Sequence, residues 1–323
     1  MAARVSMADV AAHAGVSAQT VSRVANGSPR VDPATRARVE RSMTALGYRM
    51  HRAARALRTG RSRTLGVVVS TLASVGNSRM LEAIAEVAAD GDYALAVAIA
   101  RGDGGVADAF ARLIDQEVDG VVVLNEATPL TRAADVPTAI PVVVVDSPPD
   151  ARFAVVGTDH AGGAAAAVAH LLSLGHATVH HVAGPAGSFA ADERERGWRA
   201  ALAAAGAPAP EPVRGDWTAA SGYAAADALR DATAVFVAND QMALGVLRAV
   251  ADAGRDVPGD VAVVGFDDLV DAAQFRPPLT TVRQDFAELG RRAVAAVVAQ
   301  VEGGALPAPA IVPAELVVRA SSG

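Results

Sequence analysis

The chain has 323 residues, 51% of them apolar, which is enough for a small domain plus one large or two medium ones with a sizeable core. It contains no cysteine, which excludes disulfides, thiolate catalysis and zinc ribbons. It also lacks a signal-type apolar run or a stretch of about 18 apolar residues, so a soluble cytoplasmic protein with no membrane segment is expected. The net charge of −6 conceals a split: residues 1–63 carry 12 arginines against three acids and the remaining 260 carry 17 against 32, the pattern of a basic polyanion-binding head on an acidic body.

Ser6 to Asn26 reads as two short helices joined by a glycine turn. Ser6 is placed to cap the first, with Asp9 in capping-box position, and Val10 and Ala11 supply its apolar face. Gly15 provides the permissive backbone of the turn. Ser17 then caps a second helix running to Val24. This is the helix-turn-helix layout, in which the second helix enters the DNA major groove and offers its N-terminal side chains to base edges. Ala18, Gln19 and Arg23 project from it; Gln19 suits adenine, and Arg23 suits guanine or a phosphate. A plain surface hairpin is the bland alternative.

After a turn at Gly27–Arg30, Asp32 caps a third helix with Pro33 at its first position, and Val39, Met43 and Leu46 fall at helical spacing before Gly47. Tyr48 to Gly60 is short, basic and mildly amphipathic, with Ala54 and Leu57 on one side. At this length it is a helix that needs docking to persist, or else a linker. From Leu65 apolar β-branched runs alternate with helices: strands at 65–69, 94–99, 120–124, 141–145, 178–182, 234–237 and 260–265. Helices are expected around 78–90, 105–117, 160–174, 190–205, 219–230 and 239–254. This alternation predicts parallel sheets covered on both faces, and its length predicts two α/β lobes with a cleft between them.

Several passages resemble the lactose/galactose repressor (LacI/GalR) family of transcriptional regulators over nearly the whole chain, with the lactose branch nearest in motif. They are DVAAHAGVSAQTVSRVANG (9–27), LGYRMHRAARALRTGRSRTLGVVV (46–69), LLSLGH (171–176), VANDQMALGVLRAV (237–250), VAVVGFDDL (261–269) and PPLTTVRQDFAELG (277–290). The resemblance implies an all-α helix-turn-helix head with a hinge helix at about 51–59, together spanning 1–60. It implies a two-lobed core over 61–323 like a periplasmic sugar-binding protein, with an N-lobe at about 62–158 and 287–313 and a C-lobe at about 159–286 and 314–323. It further implies a homodimer on a near-palindromic double-stranded DNA operator, a small-molecule effector of sugar type, and no enzyme activity, cofactor or metal.

Position by position, Ala18, Gln19 and Arg23 fall where the family reads bases, and Ser17, Thr20, Ser22 and Asn26 among its backbone-contacting positions. Ala54 and Leu57 fall in the DNA-contacting hinge, Leu57 matching the leucine wedged into the minor groove, where unstacking a step costs a few kcal/mol offset by new contacts. Met50-His51 replaces the usual Pro-Asn, which alters the entry to the hinge. The effector positions are Asp146, Trp217, Asn239, Asp267 and Gln284: carboxylates and amides for hydroxyls and an indole for the C–H face of a pyranose. Local alternatives are a helix cap for Asn239, a strand-end turn for Asp267 and core packing for Trp217. The family's sugar-gripping arginine, counted five residues before Gly197-Trp198, is replaced by Asp192, with Arg194 as the cation nearest to substitute.

Two rival readings fit less well. An enzyme would need a site, and His176, His180 and His181 flank a strand rather than converging, while Gly157 with Gly162-Gly163 lacks dinucleotide-loop order. A sugar-transport protein without DNA function leaves the basic head unexplained.

Overall fold

The computed structural model describes residues 5–25, 28–48, 60–101, 105–125, 127, 131 and 140–323. Asn26, Met50-His51 and the expected hinge helix with Ala54 and Leu57 lie outside them. The chain divides into two compact units, residues 1–62 and 63–323.

In the first unit, α1 (Met7–Ala14), α2 (Ala18–Ala25) and α3 (Pro33–Ala45) surround a small core of Val10, Val21, Val24, Val31 and Val39. Local chemistry sets each boundary. The Ser6 N–H donates to Asp9 Oδ2 (2.7 Å) while Ser6 Oγ accepts the Asp9 N–H (3.3 Å), completing a capping box. Gly15 ends α1 at φ 61°, a left-handed conformation that glycine adopts without penalty. Asp32 accepts the Thr35 N–H at 2.8 Å ahead of Pro33.

The second unit holds two six-stranded sheets. The first, ordered β11-β5-β4-β3-β1-β2, comprises β1 (Thr64–Val69), β2 (Ala94–Ile99), β3 (Gly120–Val123), β4 (Val142–Val145), β5 (Ala154–Thr158) and β11 (Ala310–Val312), all parallel. Its strands alternate sides with period two. Leu65, Val67, Val69, Val143 and Val145 pack on α4 (Val75–Asp90) and α10 (Phe286–Val301). Val68, Val121, Val123, Val142 and Val144 pack on α5 (Gly105–Asp115). Strands covered on both faces can be uninterrupted valine runs, which is why 142–145 is four valines.

The second sheet, ordered β12-β10-β9-β8-β6-β7, comprises β6 (His180–Ala183), β7 (Val213–Arg214), β8 (Ala234–Val237), β9 (Ala262–Asp267), β10 (Thr280–Arg283) and β12 (Glu315–Val317); β12 alone runs antiparallel to its neighbour, β10. One face carries α6 (His160–Ser173) and α7 (Phe189–Ala204); the other carries α8 (Ala219–Ala224) and α9 (Asp240–Asp252). The helix expected at 219–230 stops at 224 and continues as a 3-10 turn over Ala225–Leu229.

The chain passes between the sheets three times, from β5 to α6, from β10 to α10 and from β11 to β12. Helix α10 follows a strand of the second sheet yet buries Leu289, Ala293, Val294 and Val297 under the first. Each lobe is therefore assembled from separate stretches of sequence.

Candidate functional site

Helix α2 is sharply two-sided. Val21 and Val24 are buried, Ala18, Gln19 and Arg23 are exposed, and Thr20 and Ser22 are half-buried. Gln19 and Arg23, four residues apart, share one face. Ser17 is partly committed: its Oγ accepts the Thr20 N–H at 3.1 Å and lies 2.9 Å from Thr20 Oγ1. Together with Arg30, Arg38 and Arg41, all exposed, Arg23 gives the small unit a predominantly cationic surface.

In the large unit a cavity opens between the two sheets. One wall carries Ser74, Gly76, Met80, Asn125, Val145 and Asp146, with Phe286 and Leu289 from α10. The other carries Ala190, Arg194, Trp217, Asn239 and Asp267, and Gln284 sits at the second crossing. Its polar groups stand at the C-terminal ends of parallel strands and at helix starts, the ligand position of open α/β sheets. Among the described residues, eight non-glycine residues have positive φ, and four of them line this cavity: Asn125, Asp146, Trp217 and Asp267. Strain of this kind persists only where surrounding structure holds it, and it concentrates at binding sites.

The polar groups are wired together. Asp146 Oδ1 accepts the Thr158 N–H at 3.0 Å. Thr158 Oγ1 donates to Gln284 Oε1 (2.7 Å), and Gln284 Nε2 donates to Asp267 Oδ1 (2.7 Å). Arg194 Nη2 also reaches Asp267 Oδ1, at 3.4 Å, and its Nη1 donates to the Ala238 carbonyl. The guanidinium lies 3.8 Å from the centre of the Phe266 ring and 5.5 Å from that of Trp217. Asn239 caps α9 by accepting the Met242 N–H (2.9 Å) and clamps the Trp217 carbonyl with Nδ2 (3.1 Å), so the cap and the cavity wall are one residue. The Trp217 indole N–H is buried without a partner.

The two carboxylates are tuned in opposite directions. Burial pushes Asp146 upward, but His160, the Thr158 N–H and Arg194 together outweigh it and hold the group below its ordinary value. Burial dominates at Asp267 and raises it despite Arg194 and Gln284. Buried carboxylate oxygens, a guanidinium, amides and an indole N–H lining one cavity match a polyhydroxylated ligand.

Six of the seven expected effector residues meet in this cavity: Asp146, Arg194, Trp217, Asn239, Asp267 and Gln284. Asp192 does not. It is exposed on α7, two residues and therefore roughly 200° round the helix from Arg194. Arg194 precedes Gly197 by three residues and Trp198 by four, which puts it on the buried stripe of α7. Of the two candidates the structure places Arg194 and not Asp192 at the cavity, and helical phase is the signal that separates them. Sequence reasoning also missed Asn125, although it follows the β3 valine run just as Asp146 follows β4.

A family model described as bacterial regulatory proteins, lacI family, matches residues 6–50, and one described as a periplasmic binding protein-like domain matches residues 168–322. The Lactose operon repressor of Escherichia coli (strain K12) is 34% identical over 324 residues, covering 98% of this chain and 90% of that one. The transcriptional regulator CelR of Thermobifida fusca is 37% identical over 340 residues, covering 97% and 96%. The chain belongs to the lacI family of bacterial regulatory proteins. Among solved structures, the lac repressor dimer bound to operator and the anti-inducer ONPF aligns over 99% of each chain with a TM-score of 0.87 at 33% identity. A CelR–cellobiose complex aligns over 98% of this chain and 100% of that one with a TM-score of 0.75 at 34% identity.

As a lacI-family member the chain is a DNA-binding transcription regulator, and its similar relatives are regulators rather than enzymes. The histidines of the rival reading have separate surroundings. His176 Nδ1 lies 3.0 Å from Thr233 Oγ1, while His181 is stacked between Phe236 and Trp198, where burial lowers it to about 4. Among the described residues no helix is long and apolar enough to cross a membrane.

Proposed function

We propose that this protein is a cytoplasmic repressor of carbohydrate-use genes that binds a near-palindromic operator as a homodimer and releases or tightens its grip when a sugar occupies the cavity between its lobes. The observation that carries the reading is the polar cavity between the lobes. Carboxylates Asp146 and Asp267, the amides of Asn239 and Gln284, the Arg194 guanidinium and the Trp217 indole converge there from both lobes. Two relatives support it by what they are recorded with, operator DNA for the lac repressor dimer and cellobiose for CelR.

In this reading Ala18, Gln19 and Arg23 contact bases, and Ser17, Thr20, Ser22 and Asn26 contact the DNA backbone. The hinge residues Ala54 and Leu57 act at the operator centre. The effector works by binding one arrangement of the lobes better than another, since a ligand shifts a conformational equilibrium only by its difference in affinity for the two states. A thermal-shift screen of mono- and disaccharides, with purines as controls, tests the ligand class. A sugar that raises the unfolding temperature in a concentration-dependent way is expected, and a hit among the purines alone contradicts it.

A further inference from the structure

His160 does not line the cavity, yet it touches the charged residues that do. It is the first residue of α6, directly after the first crossing between lobes, and is 1% exposed. Its Nδ1 accepts from Arg194 Nε at 3.3 Å, so the ring proton sits on Nε2, which lies 3.0 Å from Asp146 Oδ1. That second contact is at ion-pair distance but is poorly aligned as a hydrogen bond. Phe266 lies against the ring, with centroids 5.7 Å apart. Helix α7 comes this close because Gly197 has no Cβ: one placed there would strike the Ala161 carbonyl of α6.

With these contacts the buried polar groups close into a ring. It runs Asp146, Thr158, Gln284, Asp267, Arg194, His160 and back to Asp146, every member between 1% and 8% exposed. The ring takes in the first two crossings and joins the end of β4 in one lobe to α7 and the end of β9 in the other. Through His160 the path from Arg194 to Asp146 takes two contacts, and through Asp267, Gln284 and Thr158 it takes four.

We propose that His160 is a positioning residue for effector binding: it ties the Arg194 guanidinium of one lobe to the Asp146 carboxylate of the other, so that the ligand-facing groups on both walls are set as a unit. The proposal rests on reading the cavity as the effector site, but its test needs no effector. A second link between the lobes, at the cavity rim, joins the Val75 N–H to Gln241 Oε1 at 3.2 Å. Because the native chain has no cysteine, the pair Val75→Cys and Gln241→Cys in the full-length protein reports lobe closure through the rate of cross-linking by a short bis-maleimide.

In that background His160→Leu, similar in volume but unable to bond, is expected to slow cross-linking several-fold. His160→Asn keeps an acceptor for Arg194 and His160→Gln keeps a donor for Asp146, so each is expected to restore part of the rate. A merely structural histidine lowers the melting temperature without moving the cross-linking rate of the folded protein. An unchanged rate in folded His160→Leu overturns the proposal. Should that variant not fold, wild-type rates in both amide variants overturn it, and slowed rates in both support it. A sugar screen without a hit defeats the effector reading instead, leaving the cross-linking rates to decide the role of His160.

Discussion

At the scale of single residues, the large unit places carboxylates where charge is costly. Asp240, first residue of α9, is fully buried, accepting the Thr281 hydroxyl (2.5 Å) and the Leu269 N–H (2.8 Å). Burial, reinforced by the charge of Asp267, pushes its carboxyl well above the ordinary value near 3.8. The sign follows. The folded chain holds that proton more tightly than the unfolded chain, so the cost of ionising Asp240 is absent below the unfolded value and grows as pH rises through the folded one. Asp240→Asn is therefore expected to gain stability relative to wild type as pH rises from mildly acidic to mildly alkaline, as read from melting temperatures. A difference that does not change with pH would contradict the tuning. On α2, Arg23→Ala and Gln19→Ala are each expected to cost about 1–3 kcal/mol of operator binding if they read bases. Titrations on a site selected from random duplexes and on single-base variants of it check this, since a lost base contact relaxes preference at one position and a lost phosphate contact weakens all sites alike.

At the scale of elements, the parts with local causes were legible and the parts with distant causes were not. Caps are local: Ser6 with Asp9, and Asp32 with Pro33, announced α1 and α3, and the structure shows both caps made. Asp32→Ala is accordingly expected to cost about 1 kcal/mol, seen as an earlier melting of the residue 1–62 unit with the transition of the larger unit unmoved. The valine runs of β1, β3 and β4 were equally plain, because strands buried on both faces need no polar alternation. Strand β10, TTVR, carries two threonines and an arginine and has no such signature. Helix α10 follows it in sequence but packs under the other sheet, a choice that no local pattern records. The site divides in the same way. Asp146 and Asp267 stand at strand ends, where a sequence argument looks. The place of Arg194 rather than Asp192 depends on the phase of α7, and the place of His160 on how closely two helices approach at Gly197.

At the scale of the whole molecule, a cationic head is joined to a body whose cavity is proposed to take a sugar. The 12 arginines of residues 1–63 predict operator binding that weakens by roughly 10³-fold or more between 50 and 200 mM salt, by release of counterions, as anisotropy titrations would show. The central claim is that occupancy of the cavity changes affinity for DNA. The most direct measurement is the operator affinity of the full-length protein with and without a saturating sugar identified by thermal shift, in wild type and in Asp267→Asn. The account predicts a change of about tenfold or more in wild type, within the usual 1–3 kcal/mol range of coupling between sites. It also predicts an Asp267→Asn protein that binds the operator as tightly but no longer responds. Equal wild-type affinity with and without a sugar known to fill the cavity would contradict it.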